Sequence, residues 1–201
     1  MEKKKNTYAP GTIRAGYSYE LDTVVGNLTH MAVGKTLSER MEGESPDFPV
    51  VLLENARSLL DSFGQLGPHK SRVLMRVATM SCAYFNRYLP GPVWRFLGAE
   101  IKIDGGRVDL AWVDDAGQVF FDELKTTRHG QSMSKDDNEQ VSKYVASGRD
   151  RLGAGFLGVR FIPLMFPASA ILATPSTGSG AFNSCLLSTS VLGLDRLREA
   201  A

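Results

Sequence analysis

Three residues carry most of the chemistry this sequence offers: Asp109, Glu123 and Lys125, in the stretch GGRVDLAWVDDAGQVFFDELKTT from Gly105 to Thr127. Two carboxylates brought together make a hard, oxygen-rich site that suits Mg2+ or Mn2+, whose remaining positions go to water and phosphate oxygens. A lysine beside them can hold or help deprotonate an attacking water and stabilise charge building on a phosphate. On an ordinary surface hairpin the same residues form only weak ion pairs. The deciding question is therefore whether the chain brings them together.

Val108–Val113 and Gln118–Lys125 are rich in Val, Leu, Phe and Trp, with the turn cluster Asp-Asp-Ala-Gly between them, and read as a β-hairpin. A three-residue loop, Asp115-Ala116-Gly117, with Gly117 left-handed, pairs Asp114 with Gln118. Counting back sets Asp109 opposite Glu123, so the two share a face. Lys125 lies two residues beyond Glu123 and belongs to the same face. Upstream, Arg95 to Ile103 reads as a strand. Its Glu100 is either an acid supporting the site from behind or a glutamate on a half-exposed face.

Around this hairpin, Thr29 to Met41 has Val33, Leu37 and Met41 at helical spacing, and His30 points with them towards the interior. His30 is there either a hydrogen-bonded core residue or a third metal ligand. Val50 to Phe63 and Ser71 to Tyr88 continue the helical pattern, the latter as the longest helix. After the hairpin a helix is expected from about Asp136 to Ser147, with Gln140 and Tyr144 four apart on one face. Phe156–Phe166, Ala168–Thr174 and Phe182–Ser188 read as strands, and Ser190–Ala200 as a closing helix. Helices, three strands, a helix, then strands predict an α/β fold with a central mixed sheet flanked by helices.

Composition bounds the function. A chain of 201 residues, 43% hydrophobic, suffices for one domain over 1–201, read as an arm (1–19), a helical region (26–93) and a sheet core (94–201). A net charge of +1 excludes a broadly basic protein, so any nucleic-acid surface must be a local patch. The two cysteines, Cys82 and Cys185, read as buried thiols and cannot supply the four ligands of an iron–sulfur cluster. No apolar run approaches about 18 residues, and no apolar stretch follows the lysines of Met1–Asn6. The chain reads as soluble and cytoplasmic, without a membrane partner.

The order Asp109, short hairpin, Glu123-Leu124-Lys125 resembles the PD-(D/E)XK nuclease signature, with Val108 where that signature has proline. The flanking residues are similar to its RecB-like, lambda-exonuclease-like branch. These are GGRVDL before the turn, the hydrophobic run into ELKTT, QVSKY matching a Q-x-x-x-Y pair, and GNLTHMAVGKTLSERM matching a G-x-x-x-H entry helix with His30 in the histidine position. The resemblance implies a restriction-endonuclease-like core and an Mg2+- or Mn2+-dependent deoxyribonuclease, and the two cysteines exclude the iron–sulfur cluster that some members of that branch carry. It implies Asp109, Glu123, His30 and the backbone carbonyl of Leu124 as metal ligands, and Lys125 completing the catalytic site. Gln140 and Tyr144 would position substrate, with Glu100 and Thr126 supporting from behind. DNA is the expected substrate, and targeting would come from a partner protein or a homo-oligomer. The alternative is the same fold with an idle site, binding DNA or a partner protein.

Overall fold

The computed structural model describes residues 18–41, 48–62, 66–104, 106–126, 133–165, 170–175 and 182–186. In chain order these form α1 (Ser18–Met41), α2 (Phe48–Ser62), α3 (Lys70–Arg87), β1 (Trp94–Ile103), β2 (Gly106–Asp114), β3 (Val119–Lys125), α4 (Lys135–Leu152), β4 (Phe156–Pro163), β5 (Ile171–Pro175) and β6 (Phe182–Leu186). The strands make one six-stranded sheet in sequence order. Every neighbouring pair is antiparallel except β3 and β4, which run parallel. A parallel pair requires a crossover, and α4 supplies it while covering a sheet face. The fold is the α/β, restriction-endonuclease-like architecture that the element order predicts.

The sheet separates two apolar cores. Leu110, Trp112, Phe120, Leu124, Ile162 and Leu172 pack with the buried residues of α1, α2 and α3. Ala111, Val119, Phe121, Val159, Phe161 and Ala173 pack on the other side against Val141, Tyr144 and Val145 of α4. Ser134 caps α4 reciprocally, accepting from the Asp137 N–H while the Asp137 carboxylate takes the Ser134 N–H. That box fixes where the helix starts and holds Asp137 at its first turn.

Every residue of β4 is buried, as expected of a strand with neighbours on both edges and helices on both faces. One of them is Arg160, which lies opposite Asp122 in the β3–β4 register. Its Nε and one terminal nitrogen donate to the two Asp122 oxygens at 2.6 and 2.7 Å. The Tyr84 hydroxyl (2.7 Å) and Trp112 Nε1 (3.0 Å) donate to the same carboxylate, and Arg160 also donates to the Tyr88 carbonyl at 3.0 Å. Buried charge persists only with such complete pairing. The network ties α3 to β2, β3 and β4.

Several boundaries differ from the sequence expectation. Helix α1 begins at Ser18, so Ser18 and Tyr19 belong to a helix rather than to an arm, and α1 exceeds α3 in length. Its apolar residues, Val24, Val25, Leu28, Ala32, Val33 and Leu37, spread around the helix, which packs on α2, α3 and β1 together. A helix buried on several sides shows no clean apolar stripe, so periodicity finds only part of it. Cys82 is half-buried rather than buried. Residues 1–17 and the closing helix expected over Ser190–Ala200 lie outside the described residues. Among the described residues no helix is long and apolar enough to cross a membrane.

Candidate metal centre

Gly26, His30 and Gly34 recur every four residues along α1 and therefore share a face. A Cβ on Gly26 would lie 2.8 Å from Thr126 Oγ1, and one on Gly34 would lie 2.7 Å from the Ala99 Cβ. The absence of side chains at both ends lets the helix backbone rest directly on the end of β3 and on β1. His30, between them, meets Asp109 with Nδ1 at 3.1 Å from Oδ1.

The hairpin follows the loop count. Asp114 N–H donates to the Gln118 carbonyl, Gly117 has φ 78°, and Leu110↔Asp122 to Val113↔Val119 are paired. The paired register stops at Leu110↔Asp122, and its next step sets Asp109 opposite Glu123. There the strands part, and the Leu124 N–H donates to Asp109 Oδ2 at 2.7 Å instead of to a backbone carbonyl. Backbone N–H and C=O of one strand residue point to the same side, so the Leu124 carbonyl also faces this gap. Lys125, one residue on, turns its carbonyl the other way to Leu164 of the loop after β4.

The opening in the sheet has a backbone cause. Ala99 packs with the α1–α3 core and Ile101 with the α4 core, although residues two apart on a strand ordinarily share a face. Their partners, Leu110 and Val108, divide the same way. Between them lies Glu100, at φ 55°, the one non-glycine residue with positive φ among those described. A left-handed residue inside a strand rotates the chain, and β2 turns with β1 at Asp109. For a side chain other than glycine this conformation costs roughly 1 kcal/mol. The continuing β1–β2 register sets Glu100 opposite Asp109, so Glu100, Asp109 and Glu123 form one row across three strands.

Within that row each acid meets one base. Glu100 Oε2 lies 2.6 Å from Arg107 Nε, Asp109 meets His30, and Glu123 Oε1 lies 2.9 Å from Lys125 Nζ. Lys125 also meets Asp137 Oδ1 at 3.1 Å and donates to Gln140 Oε1 at 3.0 Å. Gln140 Nε2 donates to the Tyr144 hydroxyl, which donates to the Arg107 carbonyl, both at 2.7 Å. The Tyr144 ring lies where a Cβ on Gly106 would meet it at 2.9 Å, which explains glycine before Arg107. A chain of hydrogen bonds thus runs from Lys125 through α4 back to β2.

Glu123 is only 3% exposed, and its Oε2 has no hydrogen-bond partner. Burial, and then the Asp109 carboxylate, raise its pKa to about 7 against the opposing pull of Lys125 and His30. Burial alone would lower His30, but the Asp109 carboxylate, with Glu123 and Glu100 behind it, raises the imidazole above its ordinary value. Lys125 is likewise raised: burial opposes its charge, while Glu123 and Asp137 hold it protonated. It is set up as a proton-rich donor rather than a base.

The expected residues therefore fall into two groups. His30, Glu100 and Asp109 place one ligand atom each within 4.8 Å of one another, and Glu123 is not among these three. Glu123, Lys125, Gln140 and Tyr144 belong with α4. Asp109 meets α1 through His30, whereas Lys125, paired with Glu123, meets Asp137 and Gln140 of α4. Thr126 packs against α1 at Gly26. The sequence reading missed Asp137 and Arg107 and gave Glu100 only a supporting place. A signal for Glu100 was present: the Asp-Gly dipeptide at 104–105 is a hairpin signal in the sequence, and the pairing of Ile103 with Gly106 sets Glu100 opposite Asp109.

No family model matches the chain, and no curated protein matches it. Among solved structures, one described as an EndoMS–dsDNA2 complex is similar at 25% identity with a TM-score of 0.31. The match covers 43% of this chain and 34% of that one, and a likeness of this strength carries no argument about structure or function.

Proposed function

We propose that the protein is a metal-dependent nuclease that hydrolyses phosphodiester bonds in DNA, in the manner of an exonuclease. The observation that carries the reading is Glu123: a carboxylate almost wholly buried beside Asp109, with one oxygen on Lys125 and the other unpartnered. Burying an acid next to another acid is unfavourable unless a cation completes the site. The donor set fits one. Two carboxylates, an imidazole and the Leu124 carbonyl suit Mg2+ or Mn2+, and the imidazole nitrogen shifts preference towards Mn2+.

Asp109, Glu123, His30 and the Leu124 carbonyl would hold the ion. When bound, a divalent cation supplies charge stabilisation at phosphate and a lowered pKa for water. Lys125, kept protonated, donates to the phosphate or orients the attacking water. With Glu123 engaged by the ion, Asp137 and Gln140 would keep the Lys125 amine in place. Tyr144 braces Gln140 against β2, so this pair positions the lysine and through it the substrate.

The test is incubation of end-labelled linear and closed circular DNA with Mg2+, Mn2+ or EDTA. Wild type is expected to degrade linear DNA with metal, and Asp109→Ala and Lys125→Ala to lose on the order of 10²-fold or more of that rate. Retained cleavage in both variants sinks the assignment. Binding of DNA without cleavage under any metal assigns the idle binding module instead.

A further inference from the structure

The row of acids leaves Glu100 and Arg107 unused. Glu100 holds a left-handed conformation that glycine would adopt without cost, yet the position carries a carboxylate, and that carboxylate reaches His30 and Asp109. Its partner Arg107 has a side chain 61% exposed, so the pair is solvent-screened and easily exchanged. The guanidinium stands one hydrogen bond from the three-residue group. In the same row Glu123, 3% exposed, carries a buried oxygen with no hydrogen-bond partner. Arg107, His30 and Lys125 each face one acid of the row, and Asp137 adds a fourth carboxylate at Lys125.

We propose that Glu100 is exchanged between two partners, Arg107 in the cation-free protein and the divalent cation in the loaded one, so that loading frees Arg107 to grip a backbone phosphate of nucleic acid. The inference rests on the nuclease reading for its ligand and on the acid row for its mechanism. Lys125 keeps Asp137 and Gln140 as partners throughout, whereas Arg107 loses the one carboxylate it is seen to hold. An exposed guanidinium released next to the cation matches a phosphate by bidentate hydrogen bonding. Nucleic acid would then be gripped only by the loaded site.

Two measurements without turnover test this. In calorimetric titration with Mn2+ alone, Glu100→Gln is expected to weaken binding roughly tenfold or more, as loss of a ligand does. Arg107→Ala is expected to tighten it, because the competitor for Glu100 is gone; a merely structural Arg107 would leave it unchanged or weaker. In fluorescence anisotropy with a labelled DNA duplex, wild type is expected to bind more tightly in Ca2+ than in EDTA, and Arg107→Ala to lose that gain. Glu100→Gln is expected to bind more tightly than wild type in EDTA, and Glu100→Gln/Arg107→Ala to lose the improvement. Unchanged Mn2+ affinity in Glu100→Gln overturns the exchange, and a full Ca2+-dependent gain in Arg107→Ala overturns the grip. If wild type binds Mn2+ but neither binds nor cleaves DNA, the nuclease reading falls with the grip; if it cleaves DNA while Arg107→Ala keeps the gain, only the present proposal falls.

Discussion

Glu123 shows how one side chain trades stability for chemistry. Its carboxyl would ionise near 4.5 in the unfolded chain and does so at about 7 in the folded one. The folded state therefore holds the proton more tightly, so the residue costs no stability below pH 4.5 and an increasing amount as pH rises to 7. In chelator, Glu123→Gln is expected to be more stable than wild type at pH 8 by about 1–3 kcal/mol, and equal to it near pH 4. Urea unfolding at the two pH values measures this; equal stability at pH 8 contradicts the burial argument. His30, also raised, loses its stabilising effect as pH climbs above 6.5, and because Glu123 contributes to that rise, the comparison at pH 8 reads the two groups together. The same protonation makes Mn2+ affinity fall as pH drops below 7, because metal and proton compete for one carboxylate.

At the scale of elements, two contacts decide where the site's residues stand. The first is the approach of α1 to β1 at Gly34. Gly34→Val would force side-chain atoms into the Ala99 methyl, already at 2.7 Å from a single Cβ, and lift the helix from the strand. The expected cost is about 1–3 kcal/mol, with weaker Mn2+ binding because His30 moves away from Asp109. A variant with wild-type melting and Mn2+ affinity would show that the helix has room to adjust. The second contact is Arg160 on Asp122. Arg160→Met leaves a buried carboxylate with only Tyr84 and Trp112 as donors, and the expected loss is about 3–5 kcal/mol. Asp122→Leu/Arg160→Met is expected to recover most of it, which chemical denaturation of the two variants compares directly.

For the whole molecule, the sheet's open end is where charge is unbalanced, and a cation there should be felt by global stability. A ligand at about 100 times its Kd stabilises the native state by about 2.7 kcal/mol. For a domain of this size that is a rise of roughly 5–10 °C in Tm. Mn2+ is expected to produce such a rise over EDTA in wild type and little or none in Asp109→Asn. Calorimetric melts with matched buffers check it, and equal rises in both proteins would move the cation elsewhere. With a net charge of +1, the chain as a whole has little general attraction for nucleic acid.

What the sequence determined by itself is local: the alternation of β2 and β3, the left-handed Gly117, and the loop length that sets Asp114 on Gln118 and so aligns Asp109 with Glu123. Short loops fix register because few residues connect the strands. The α/β order was legible for the same reason, since each element carries its own period. Tertiary structure alone decided the rest. The change of face between Ala99 and Ile101, and between Leu110 and Val108, accompanies the left-handed Glu100, and no pattern in the residues announces a left-handed glutamate. The Asp122–Arg160 pair spans a parallel crossover, whose register follows from how α4 packs rather than from loop length. Asp137 reaches Lys125 only because the Ser134 cap starts α4 beside the end of β3, and the extent of α1 was hidden because a helix buried on several sides has no single apolar face.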